Sequence, residues 1–193
     1  SGISGQIISF SIESADDVSS DATAVNGEFP LSGNQMSVAS GTLAGVDFSA
    51  TTNPTGSPSV DPGETGYTVW KNTASVTTRS VYLKYLRLKE IGSIDSDDLQ
   101  NFYLYVNGSE VAGPVQMDEN FYVTFDLTSS PVTLEAGSRI IEVRADVIDG
   151  SGKSFSFSLW YTADIVLEDS QYSVPVIPTK GSSTFTPATT GTV

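Results

Sequence analysis

Apolar and polar residues alternate along most of this chain, with serine and threonine filling the polar positions. In Ile7-Ile8-Ser9-Phe10-Ser11-Ile12, Ile8, Phe10 and Ile12 share one face and the serines the other, the period of a half-buried strand. Weaker strands over residues 23–29 and 35–43 flank a turn over residues 30–33. Val46-Asp47-Phe48-Ser49-Ala50 alternates again, before loops carrying Asn53-Pro54 and Asp61-Pro62-Gly63. From Tyr67 the pattern strengthens: Tyr67, Val69 and Ala74 fall on one face of a strand and Trp70 on the other. Residues 79–89 alternate through Val81, Leu83 and Tyr85, then slip phase to Leu86 and Leu88. That slip predicts a bulge, or a strand buried on both faces.

Asn107-Gly108, set between Phe102-Tyr103-Leu104-Tyr105-Val106 and Ser109-Glu110-Val111-Ala112, predicts a two-residue hairpin turn, because both positions tolerate positive φ. Strands follow over residues 121–127, 139–148 and 153–168, and Asp149-Gly150-Ser151-Gly152 predicts a second hairpin between the last two. The stretch 153–168 is longer than an ordinary strand, so it is expected to bend or to cross between sheets. Residues 95–100 have the makings of one helical turn, capped by Ser93 or Asp95. Beyond Glu168, Pro175 and Pro178 restrict residues 172–177 to an edge strand or an extended arm. Residues 181–193 are rich in Ser, Thr, Gly and Pro around one aromatic, Phe185, a composition that orders only when its own domain or a neighbour holds it.

Composition narrows the function classes. The 193 residues contain no histidine and no cysteine, which removes the usual general base, the usual metal ligand and the thiol nucleophile. Without cysteine there is no disulfide framework, so stability must come from the core, from metal or from assembly. Lys and Arg number 9 against 23 Asp and Glu, a formal charge of −14 with no basic cluster, which argues against nucleic acid as a partner. No apolar run is long enough to span a bilayer, so no membrane span is expected. The opening Ser1-Gly2-Ile3 suits a processed terminus or the remnant of a tag. Only 17% of residues are charged, and a Ser/Thr/Gly/Asn surface of this kind fits an extracellular or cell-surface protein.

The candidate chemistry is sparse. Paired carboxylates such as Asp118-Glu119 sit in turns where nothing raises a pKa, so no enzyme activity is expected. The oxygen-rich loop Asp95-Ser96-Asp97-Asp98 is the candidate calcium site, through Asp95, Asp97 and Asp98, although its spacing departs from an EF-hand at Leu99 and Gln100. No other cofactor is expected. Asn107-Gly108-Ser109 has the form of a glycosylation sequon, a candidate site for a surface glycan, but coincides with the predicted turn. Trp70, Tyr82, Tyr103 and Trp160 are candidates for a sugar-binding platform. Lys84, within a strand, is a candidate for an isopeptide crosslink to an asparagine.

Gly41-Thr42-Leu43 leading to Asn53-Pro54, then Val60-Asp61-Pro62-Gly63-Glu64-Thr65 before the alternating strand to Leu88, resembles immunoglobulin-like domains of prokaryotic cell-surface and pilus-type proteins. Leu134-Glu135-Ala136-Gly137-Ser138, ahead of a strand ending Ala145-Asp146-Val147, continues the likeness, which covers about residues 36–168. It implies a surface-exposed sandwich used as a structural or adhesive module. The expected architecture is an all-β, antiparallel, Ig-like Greek-key sandwich over residues 13–170, with an N-terminal arm over 1–12 and a C-terminal arm over 171–193. The expected function is that of a structural subunit of an extracellular filament, pilus or surface layer, polymerising with itself by strand donation. Ile3, Ile8, Phe10, Ile12, Val174, Val176 and Phe185 would make the contacts. A monomeric carbohydrate-binding or adhesin module is the alternative.

Overall fold

The computed structural model describes residues 6–38, 41–51, 59–179 and 188–192. The chain forms two compact units, Ser1–Thr42 and Leu43–Val193.

In the first unit, β1 (Ile7–Ile8), β2 (Ser11–Ile12), β3 (Leu31–Ser32) and β4 (Met36–Ser37) make a narrow ribbon. β1 pairs antiparallel with β4, and β2 with β3. The single strand expected over residues 7–12 is therefore interrupted. Ile8 faces Met36 while Ser11 faces Ser32, so two residues on one side answer three on the other. The Gly33 amide donates to the Phe10 carbonyl at 2.8 Å and bridges the irregularity. The acidic turn closes as a short 3-10 turn, Ala15–Asp17, whose Asp17 carboxylate accepts the Glu13 and Ser14 amides. None of the described residues 6–38 is buried. A ribbon this narrow has no second layer to cover it.

The second unit is an antiparallel β-sandwich. Its strands are β5 (Gly45–Thr51), β6 (Tyr67–Thr77), β7 (Val81–Glu90), β8 (Leu99–Val106), β9 (Ser109–Val115) and β10 (Tyr122–Asp126). Then come β11 (Val132–Leu134), β12 (Gly137–Val147), β13 (Ser154–Ser158), β14 (Ile165–Asp169), β15 (Pro175–Val176) and β16 (Ala188–Thr192). One sheet runs β5-β6-β12-β8-β9; the other is built around β7. β14 and β13 pair with successive parts of β7 along one edge, β11 and β10 along the other. β15 lies beyond β14, and β16 beyond β13. Aromatic rings close the space between the sheets: Phe102 of β8 meets Phe157 of β13 at 5.7 Å between centroids. Tyr67 of β6 meets Phe155 of β13 edge-on at 6.2 Å.

The phase slip in β7 is a bulge. Val166 faces Tyr85 and Leu167 faces Leu83, leaving Lys84 as the extra residue, so Val81, Leu83, Leu86 and Leu88 all reach the core. A second bulge, unforeseen, lies in β6, where Val143 faces Trp70 and Arg144 faces Thr68. Trp70 is in phase with buried Ala74 and Val76, and the bulge allows Val69 to be buried next to it, which corrects the expectation that Trp70 and Ala74 occupy opposite faces. The Asn107-Gly108 hairpin forms as expected, with φ of 50° and 81°.

The linker over residues 149–152 is not a hairpin, because β12 and β13 belong to different sheets and the chain crosses the sandwich here. Gly150 makes the crossing feasible. Its φ is 105°, and a Cβ there would lie 2.5 Å from the Ile94 side chain. Residues 153–168 bend without leaving their sheet, since the 3-10 turn Thr162–Asp164 separates β13 from β14. Residues 95–100 make a turn rather than a helix, with the Asp98 amide donating to the Asp95 carbonyl at 3.1 Å. Leu99, fully buried, then opens β8 at once.

Candidate functional site

Ile8, Phe10 and Ile12 lie on the ribbon, and all three are exposed, Phe10 at 73%. The sequence reading missed Ile7, Leu31 and Met36, which are exposed beside them, Ile7 at 64%. Val176 instead belongs to the sandwich's own core. Val174 is half-buried, and its carbonyl accepts the Asp169 amide at 2.9 Å. Ile3 and Phe185 fall outside the described residues.

The proposed calcium loop is closed by a lysine. Lys153 Nζ donates to Asp98 Oδ2 at 2.6 Å and to Asp95 Oδ2 at 2.7 Å, while Asp97 points into solvent. Burial disfavours the charged Asp98, but the Lys153 bond and the Asp95 amide outweigh it and hold the carboxyl below its ordinary range. The ammonium occupies the place between the two carboxylates that a cation would need. Among the described residues no three acidic groups converge on a metal position.

The other sequence candidates are distributed differently. Trp70 is fully buried, so it cannot serve a sugar platform; Tyr82 and Tyr103 are half-buried and Trp160 is exposed. Lys84 pairs with Glu168 across the sheet at 2.6 Å. Asn107 accepts the Ile140 amide through its side-chain oxygen at 2.9 Å, tying the hairpin turn to β12.

Buried charge is concentrated in ion pairs. Asp169, fully buried at the end of β14, accepts Arg79, and fully buried Asp164 accepts Arg87. Glu142 takes Lys71 and Arg144, each at 2.7 Å. Each carboxylate in these pairs is matched by a cation, while Arg144 Nε is buried without a partner.

Glu90 is different. It ends β7 in the phase of Leu86 and Leu88 and is only 4% exposed, yet its Oε1 has no hydrogen-bond partner in the protein. Burial pushes its carboxyl up to about 7, against the opposing pull of the Ser156 amide and the Lys89 charge. Residues 89–95, together with Phe121, line an open pocket of about 400 Å3 around this group. Gly92 forms part of the wall. A Cβ there would collide with the Ser154 carbonyl oxygen and lie 2.6 Å from Glu90 Oε1, so only glycine lets this segment pack so closely on β13. The segment is pinned to β13 by amides of Ile91 and Ser93 donating to the carbonyls of Ser156 and Ser154, each at 2.8 Å.

Comparison with protein-family models, with characterised proteins and with solved structures finds no match.

Proposed function

We propose that this protein is a structural subunit of an extracellular assembly, in which the N-terminal ribbon is completed by a neighbouring copy. The observation that carries this reading is the contrast between the two units. The sandwich has a closed core, whereas the ribbon carries Ile7, Ile8, Phe10, Ile12, Leu31 and Met36 exposed and buries none of its described residues. So many large apolar side chains on one thin element mark an interaction surface.

Three edge strands of the sandwich are guarded, β5, β9 and β15. The Thr179 amide and carbonyl bond to Val46 and Phe48 along β5, and prolines interrupt β9 and β15. The ribbon has no such protection: the outer edges of residues 6–12 and 31–38 are unpaired among the described residues. These two edges differ, so the first of one copy can add to the second of the next. Contacts of that heterologous kind extend without closing, which yields a filament or layer.

Electron microscopy and sedimentation of the full chain carrying Ile8→Ser, Phe10→Ser and Met36→Ser test the reading. Assemblies should disappear, while the unfolding midpoint of the sandwich shifts little, since none of these positions is buried. Assemblies persisting unchanged in the triple variant would overturn it.

A further inference from the structure

We propose that the pocket at the end of β7 binds a neutral saccharide, with Glu90 as its central hydrogen-bonding group. The pocket's volume of about 400 Å3 lies within the range of small-molecule sites, about 300–1,000 Å3. At its base is the Glu90 carboxyl, which is 4% exposed and has one oxygen without a protein partner.

The charges around Glu90 select the ligand's chemistry. Lys89 lines the same pocket, held by the Asn120 carbonyl and by the rings of Phe121 and Tyr122 at 5.3 and 4.8 Å. Asp95 lines it as well, already neutralised by Lys153. A cationic ligand would meet the Lys89 ammonium, and an anionic one would meet the buried Glu90 carboxyl. A polyhydroxyl compound suffers neither conflict, because each hydroxyl both donates and accepts. Its hydroxyls donate to Glu90 and Asp95 and accept from Lys89. Its C–H faces lie against Phe121, Ile91 and Ile94, the apolar part of the wall. All of its lining residues belong to the second unit, and neither Trp70 nor Trp160 is among them.

The test is a glycan array of neutral and acidic sugars probed with the full chain, followed by calorimetric titration of the hits. Neutral mono- or disaccharides should bind the native protein. Glu90→Leu, which replaces a buried carboxyl with an apolar side chain of similar size, should weaken them about tenfold or more. Asp95→Asn, at an exposed position, provides a second variant and should weaken them severalfold. Binding only of acidic sugars, binding of butylammonium in preference to any sugar, or equal affinity in both variants would overturn the proposal, as would an array without a neutral hit.

Discussion

Replacing Asp169 with alanine should cost about 3–5 kcal/mol, the usual penalty for orphaning one partner of a buried ion pair. This fully buried carboxylate joins four groups: Arg79 Nη1 at 2.8 Å and the amides of Ala44, Gln171 and Tyr172 at 2.7, 2.9 and 3.0 Å. They come from the lead-in to β5, the link before β7 and the turn after β14. The alanine variant takes the buried carboxylate away from Arg79 and leaves three amides unmatched at the edge of the core. Against a total stability of about 5–15 kcal/mol, that is a large fraction. Equilibrium urea unfolding at pH 7 measures it, and a loss under about 1 kcal/mol would show that water readily replaces the carboxylate.

The same residue sets the acid limit. Burial alone would raise its pKa, but the three amides and Arg79 outweigh burial and hold it well below the ordinary carboxylate range. Its folded pKa is therefore depressed. The stability it contributes is present above the unfolded value of 3.8 and is lost as pH falls towards the folded value. Acid unfolding of the native protein should accordingly begin below about pH 4.

Glu90 carries the second large effect, with the opposite sign. Its folded pKa of about 7 lies above the unfolded 4.5, so below pH 4.5 the group is neutral in both states and imposes no penalty. As pH rises past 7, the folded protein must hold a buried charge. At about 1.4 kcal/mol per pH unit between those values, native stability should fall by about 3 kcal/mol from pH 4.5 to pH 8 through this one group. Glu90→Gln stays neutral throughout. It should exceed the native protein by about 2–3 kcal/mol at pH 8 and match it near pH 5. Unfolding curves of the two proteins that run parallel across that range would mean that Glu90 is not desolvated.

The strand content was legible because period-two alternation survives wherever one face is buried. The Asn107-Gly108 turn and the β7 bulge followed from a dipeptide and from a phase slip. The bulge at Val69 was hidden because an aromatic and a β-branched residue in sequence read equally well as opposite faces. The linker over residues 149–152 misled for a different reason. Its glycines satisfy a hairpin and a crossing between sheets alike, and what decides the matter is the pairing of β13 with β7 and of β12 with β6 and β8, strands distant in sequence. Asp95 and Asp98 looked like cation ligands because the lysine that answers them stands at position 153. Glu90 left a signal that went unused: the alternation through Leu86 and Leu88 places position 90 on the core face. A charged residue in an apolar phase is where a site should be sought.

The ion pairing of the sandwich also governs how proteases meet this chain. The first lysine or arginine is Lys71, so the whole ribbon offers no site to an enzyme that cleaves after basic residues. From there through residue 153, every such side chain is tied down. Lys71, Arg79, Lys84, Arg87, Arg144 and Lys153 are in salt bridges. Lys89 is bound to the Asn120 carbonyl, and Arg139 to the carbonyls of Glu135 and Ala136. Trypsin-like cleavage across this span has to wait for these bonds to open, so digestion there reports local opening of the structure rather than the accessibility of the surface.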